Sequence, residues 1–410
     1  MKRLLALALG VLTAIGGFVD IGDLVTNSLV GARFGLGLAW VVVVGVLGII
    51  VFAEMSGRVA AMTGRATFDL VRERLGPRAG LLNLAGSMAV TFLTFIAEIG
   101  GVALALELVS SVNYLLLVPF TGLAVWLVLW RVKFALLENV FGLLGLALLV
   151  FAVAVWQLGP DWSGLLDAAT RPAVPASEGA PTYWYYAVAL FGAAMTPYEV
   201  FFFSSGGVEE HWSRKDLATS RLNVFVGFPL GGMLSLAVAV TAAVVFLPAG
   251  IEVDTLGQVG LPVSEALGRV GLAVALLGFF AATFGAAMET GLSAGYTVAQ
   301  YFGWAWGKFR RPTEGSRFHT VVMMSILVGV ACLATTIDPI QLTEYTLIFS
   351  AVVLPLTYLP ILVVANDRGY LGDRVNGRLA NTLGLLYLLV VLAAAVAAVP
   401  LMIITRMGGG

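Results

Sequence analysis

The chain has 410 residues, of which 60% are hydrophobic and only 11% charged, with a mean hydropathy of +0.97 and a formal net charge of -1. An average soluble domain carries about 25% charged residues, so this composition excludes a soluble globular protein and describes a multi-pass membrane protein. Without a concentrated basic surface nucleic acid is excluded as a partner, and the single cysteine, Cys332 in an apolar run, excludes a disulfide framework and a thiolate metal site.

The opening stretch, MKRLLALALGVLTAIGG, imitates a secretory signal, with Lys2 and Arg3 ahead of an apolar run. It continues without a cleavage site into an acidic motif, so it reads as the start of a first membrane span. At about 20 apolar residues per span, eleven segments follow, near 4–32, 37–62, 81–110, 114–130, 134–157, 183–210, 219–248, 268–304, 318–336, 339–366 and 379–405. The first, sixth and eighth are long, or interrupted by Gly, Pro or charge. All of the 23 basic residues except Arg33, Arg171, Arg269 and Arg406 fall on one side of this threading. Basic residues concentrate on the cytoplasmic side of membrane proteins. The expected topology is therefore a bacterial-type inner (plasma) membrane protein with a cytoplasmic N-terminus and an outside C-terminus. The two long outward loops, near residues 159–184 and 247–268, are too short for a separate domain. The expectation is one all-α transporter domain over 1–410.

Two spans carry what a membrane interior should not. GGFVDIGDLV places Asp20 and Asp23 in the first span, where each charge costs about 2.5–3.5 kcal/mol on insertion scales. ALFGAAMTPYEVFFFSSGGVEEHW, five spans later, places Pro197 and Glu199 in mid-helix. Proline removes a backbone donor and clashes with the preceding turn, so this helix is expected to break near Met195 to Tyr198. Gly16, Gly17 and Gly22 flank the acidic pair in the same way. Interrupted helices at corresponding positions of two halves point to an inverted-repeat transporter with a midplane site. An odd spacing of five spans inverts the second half. Carbonyls released at both breaks, together with the acids, form an oxygen-rich cage suited to a cation. No basic residue lies in a span to pair with Asp20 and Asp23. For Glu199 an ordinary kink, with the acid paired to Arg or facing an aqueous vestibule, fits as well as a ligand role, and its place one helical step past the break points to the access pathway.

The sequence resembles the Nramp family of divalent metal transporters, whose first helix carries an Asp-Pro-Gly-Asn motif and whose sixth carries Met-Pro-His. Here these stretches read DIGD (Asp20 to Asp23) and TPY (Thr196 to Tyr198), with SLVGARFGLGLAW, MTGR and IAEIGG in the surrounding spans. The resemblance implies a LeuT-type fold of two inverted five-helix repeats, about 4–157 and 183–366, plus an extra helix at about 379–405, with helices 1 and 6 unwound at the midplane. Carried over by position, it implies metal ligation by Asp20, Asp23, Thr196 and the carbonyl of Ala193.

The departures from the family motifs carry information of their own. Thioether sulfur favours transition metals, whereas carboxylate, carbonyl, hydroxyl and water suit magnesium, calcium and manganese. Thr196 in place of the family Met removes the soft ligand. Asp23 in place of Asn adds a charge that favours a small hard cation retaining several waters, as magnesium does. The pattern is most similar to the Nramp-related magnesium transporter branch. In the family, proton coupling is linked to the sixth-helix His, acids of the third helix and Arg residues of the ninth. Here those places hold Tyr198, Glu98 with Phe95 beside it, and the Arg-free TVVMMSILVGVACLATTI. Voltage-driven transport without tight proton coupling is the expectation.

Gly22, Tyr198, Glu199, Glu98, Glu289 and Thr357 are candidate access-pathway or supporting residues. Glu289 is the best placed of them, among the small residues of GAAMETGLSAG. Ser350 is a further candidate, Glu107 reads as near the outer surface and Glu54 as in the inner half. His211 and His319 read as solvated helix-end residues, since neither has a His or Cys partner nearby. No cofactor is expected, because the divalent cation is cargo, and no obligatory protein partner; the lipid bilayer is the surrounding solvent. The alternatives are a proton-coupled manganese or iron transporter of the same family and an amino-acid transporter of the same fold. The latter would not pair two acids in its unwound first helix. An intramembrane enzyme lacks a nucleophile with its base or a His-rich site.

Overall fold

The structure is a computed structural model that describes residues 19–175, 178–308 and 310–408. Among the described residues there is no strand, and ten helices are long and apolar enough to cross a membrane. They correspond to the second to eleventh segments expected from hydropathy. The first is described from Val19 onward, as α1 (Ile21–Phe34). The signal-like stretch and the breaks expected at Gly16 and Gly17 lie outside the described residues.

The helices that position the site are α2 (Ala39–Thr63), α3 (Pro77–Ser110), α4 (Tyr114–Arg131), α5 (Phe134–Gly145) and α6 (Leu149–Leu158). They continue with α7 (Ala180–Ala194), α8 (Pro197–Glu209), α9 (Leu217–Leu222) and α10 (Phe228–Val245). The last four are α11 (Leu261–Phe302), α12 (Ser316–Leu333), α13 (Pro339–Ala365) and α14 (Arg378–Ile404). Within the sixth span the helix stops at Ala194 and restarts at Pro197, across Met195 (φ -120°, ψ 51°) and Thr196 (φ -61°, ψ 125°). Pro197 occupies the first turn of the new helix, where its missing N–H costs nothing. The break falls where the proline predicts it. In the seventh span α9 runs into α10 through a π-helical stretch, Asn223–Gly227. The eighth span starts at Leu261, earlier than hydropathy suggests, and bends at Gly268 (φ 66°). A left-handed φ there is open to glycine and strained for other residues.

α3 and α11 lie along each other over much of their length, α10 packs on α1, and α13 bridges α3 and α14. α1 and α10 approach so closely at Gly31 that an added Cβ would lie 2.2 Å from the carbonyl oxygen of Ala239. Polar clusters mark the two ends of the bundle. At one end Arg33 donates two parallel bonds to Glu178 (2.7 and 3.0 Å), one to the Tyr186 hydroxyl (3.1 Å) and one to the carbonyl of Gly408 (3.0 Å). At the opposite, basic end Glu54 pairs with Arg58 (3.2 Å) and Arg221 (2.9 Å), and Arg58 reaches on to the Arg374 carbonyl and the Asn376 side chain. Glu54 is thus held in an ion-pair network.

Candidate metal site

α1 begins at the acidic motif because Asp20 is its N-cap: the Asp20 Oδ1 accepts the Asp23 N–H at 2.8 Å, satisfying a donor that a helix start leaves free. Glu98, fully buried on α3, accepts the neighbouring Ile21 N–H through Oε1 at 3.2 Å. Its Oε2 is buried without a hydrogen-bond partner among the described residues. Two carboxylates from different helices therefore converge on the buried amides at the start of α1. Tyr198, on the far side of the break in the sixth span, lies within electrostatic reach of Asp20.

The break in the sixth span supplies oxygens of its own. The Thr196 hydroxyl donates to the Ala193 carbonyl at 2.7 Å, Ser350 of α13 reaches the Gly192 carbonyl at 3.4 Å, and the Tyr358 hydroxyl donates to the Met195 carbonyl at 3.1 Å. A carbonyl oxygen has two lone pairs, so each retains capacity for a second partner. Asp20, Glu98, Thr196, Thr94, Thr343 and Ser350 all line one small cavity of about 10 Å³ between the start of α1 and the break before α8. That is space for about one water-sized sphere.

Of the four expected ligands, Asp20 and Thr196 line this cavity, with Ala193 directly behind Thr196. Asp23 is buried beside them, but its carboxylate is engaged elsewhere. Oδ1 accepts the Asn27 amide at 2.8 Å and Oδ2 accepts the Ser235 hydroxyl of α10. Asn27 also donates to the Asp23 carbonyl at 2.9 Å. Sequence reasoning missed Asn27, Ser235 and Tyr358. It also missed Thr343 and Thr346, which with the expected Ser350 form a hydroxyl row whose spacing on α13 marks one helix face and was readable.

The remaining candidates separate into two groups. Gly22 lines the cavity; Glu199 is buried, and Glu289 and Glu199 lie within electrostatic reach of each other and of Asp20. Thr357 is fully buried with an unpartnered hydroxyl, outside the cavity wall. Phe95 is fully buried and packs its ring edge on Gly291. The thioether nearest the break, that of Met195, is fully buried and turned away: its sulfur packs against Gly48 of α2, where an added Cβ would lie 2.6 Å from it. The donors facing the cavity are therefore oxygens. Among the described residues no three His, Cys, Asp or Glu side chains converge as a metal cluster. His211 is exposed and lines a larger cavity of about 450 Å³ at the basic end, with Asp69, Glu209 and Glu314. Burial lifts the Asp69 carboxyl to about 6 despite the nearby Arg65.

Comparison with known proteins agrees with this architecture. A family model described as natural resistance-associated macrophage protein-like (Nramp) matches residues 10–400. The divalent metal cation transporter MntH of Erwinia tasmaniensis is 28% identical over 386 residues, covering 92% of this chain and 90% of that protein. MntH of Yersinia enterocolitica is 27% identical with the same coverage. Among solved structures, the Eremococcus coleocola manganese transporter superposes with a TM-score of 0.68 at 19% identity, over 99% of this chain and 95% of that one. Mhp1, a nucleobase-cation-symport-1 family transporter, superposes with a TM-score of 0.62 at 15% identity, over 96% of this chain and 91% of that one. The all-helical bundle with its broken helix shares the LeuT-type fold of these neighbours, and by the match over nearly its whole length the chain belongs to the Nramp family.

Proposed function

We propose that this protein moves divalent metal cations across the plasma membrane by alternating access, that magnesium is its principal cargo with manganese also accepted, and that transport is not tightly coupled to protons. The observation that carries the cation class is the donor set: carboxylates of Asp20 and Glu98 and the hydroxyl of Thr196 face one cavity while the Met195 sulfur packs against Gly48. Oxygen donors suit hard cations. The relatives named as divalent metal cation and manganese transporters support the same substrate class. Magnesium dehydrates reluctantly and keeps several waters, and the cavity has room for about one. Loading a hydrated ion therefore requires the helices around the breaks to part, and release requires the same on the other side. Asp20, Asp23, Thr196 and the Ala193 carbonyl are the proposed ligand set. In this reading the Ser235 and Asn27 bonds hold Asp23 until a cation draws it inward.

Weak proton coupling is supported by Phe95 and Tyr198 where the family places titratable groups, and by the Arg-free α12. The basic residue distribution favours a cytoplasmic N-terminus, and voltage then favours entry by about 2.3 kcal/mol per elementary charge per 100 mV. A proton-coupled manganese or iron transporter is the second reading, favoured by the buried, half-partnered Glu98 carboxylate. Proteoliposomes holding a pH-sensitive dye, clamped at negative internal potential and offered magnesium, manganese or calcium separately, decide between them. Magnesium uptake without internal acidification is expected. Uptake of manganese with magnesium excluded, or acidification that disappears in Glu98→Gln, would establish the second reading instead.

A further inference from the structure

A third cavity, apart from the cation site, opens at the basic end of the bundle between α4, α11 and α12. It encloses about 260 Å³ and is lined by Trp126, Trp130, Lys308, Ser316, His319 and Met323, among others. Lys308 builds it: its ammonium donates to the carbonyls of Val132 and Val128 at the end of α4, tying the loop before α12 to the loop after α4. Those two stretches, residues 131–133 and 303–317, carry Arg131, Lys133, Lys308, Arg310, Arg311 and Arg317 with Glu314 as their one acid, while Glu209 of α8 accepts the Lys308 N–H. The cavity wall is aromatic, with Trp126 and Trp130 stacked at 5.1 Å and the Arg131 guanidinium 4.1 Å above the Trp130 ring. Away from the charges the mouth continues as an apolar seam between α4 and α12, where Trp130, Leu127, Met323 and Leu327 are exposed.

We propose that this cavity binds the headgroup of one anionic phospholipid of the cytoplasmic leaflet, with its acyl chains lying in the α4–α12 seam. The position and the chemistry agree. Tryptophans of this kind sit at the membrane boundary, and basic pockets between spans on the cytoplasmic side recognise anionic headgroups. The volume is below the roughly 300 Å³ at which pockets enclose a whole small ligand. It accommodates a phosphate and its alcohol while the chains remain in the bilayer. Lys308, Ser316 and His319 supply donors inside, and Arg131 and Arg317 supply charge at the rim. Neither arginine belongs to the cation site.

The test is native mass spectrometry of the full chain released from nanodiscs of mixed phosphatidylcholine and phosphatidylglycerol. The wild type should retain one phosphatidylglycerol in strong preference to phosphatidylcholine. The paired variant Arg131→Gln/Arg317→Gln, which removes two exposed charges and their contacts with the Trp130 and Trp304 rings, should lower that preference by ~30-fold. Ser316→Trp, which fills the cavity and leaves the charges, should also lose the adduct while eluting as a folded protein. Equal retention of the two lipids, or an adduct that survives in both variants, overturns the proposal. Displacement of the lipid by inorganic phosphate alone overturns it as well, by showing that the cavity recognises a free anion.

Discussion

Replacing Asp20 by Asn separates its two roles. Asp20 caps α1 through the 2.8 Å bond to the Asp23 N–H and also carries one of the charges facing the cavity. Asn and Asp are equivalent N-caps, so Asp20→Asn keeps the start of the helix and removes only the charge, whereas Asp20→Ala removes both and costs about 1 kcal/mol of helix stability. Two unit charges at roughly 4 Å interact by about 4 kcal/mol at an effective dielectric of about 20, and a divalent ion doubles this to about 8 kcal/mol. If three quarters of that is cancelled by the lost hydration of both partners, about 2 kcal/mol remains, which is ~30-fold in affinity. Concentration-dependent magnesium uptake into proteoliposomes should therefore show a half-saturating concentration raised at least ~30-fold in Asp20→Asn, with thermal stability unchanged. Uptake within threefold of wild type, about 0.7 kcal/mol, in a folded Asp20→Asn protein would refute the assignment of Asp20 as a ligand. Loss of uptake only in Asp20→Ala would show that the cap, and not the charge, is what transport needs.

Thr196→Met restores a soft donor on the cavity wall and should shift the uptake ratio of manganese or cadmium over magnesium upward, measured by competition between the ions. Ser235→Ala removes the donor on the Asp23 Oδ2; a bond to a charged group is worth about 1.5–3 kcal/mol, and because that bond is released when Asp23 turns to the cation, uptake tightened by ~10-fold or more is expected, whereas weaker uptake would show that Ser235 supports Asp23 as a ligand. Asp69, outside the membrane spans, has its carboxyl raised from 3.8 to about 6 by burial. Because its native pKa is raised, its contribution to stability is fully present below about 4 and is lost as pH rises through about 6. Asp69→Asn should therefore be the more stable protein at neutral pH, by up to ~3 kcal/mol, and should lose the rise in melting temperature that wild type shows on acidification to about 5. The adjacent Trp306 gives a fluorescence signal for that measurement.

The parts of the site legible in the sequence were those marked by an anomaly: carboxylates where the bilayer penalises charge, and a proline where a helix cannot continue. Asp20, Asp23 and Pro197 announce themselves against an apolar background, and the break at Met195 and Thr196 follows from the proline ring alone. Serine, threonine and tyrosine in a span carry little penalty and raise no alarm. Ser235 and Tyr358 therefore stood out only when the fold brought α10 against the start of α1 and α13 against the break before Pro197. The orientation of Asp23 was illegible for the same reason, since its partner lies 212 residues away in sequence. Arg58 and Glu54 were readable as charges at a helix end, but not as members of one network with Arg221 and Asn376. The π-helical stretch at Asn223–Gly227 and the early start of α11 left no mark in a hydropathy pattern that is apolar throughout.

Met195 and Thr196 are neighbours in the chain and face opposite ways, one toward Gly48 and one into the cavity. Which of them meets the cavity is decided by the place where α7 stops, and that place is fixed by the ring of Pro197. The chemical softness of the site is thus a property of register as much as of composition. A break one residue earlier in the chain would present sulfur in place of a hydroxyl with no change in the amino acids available. Within a shared backbone, sliding the interruption by one position is a route from hard-ion to soft-ion preference that a residue-by-residue comparison of aligned ligands does not register.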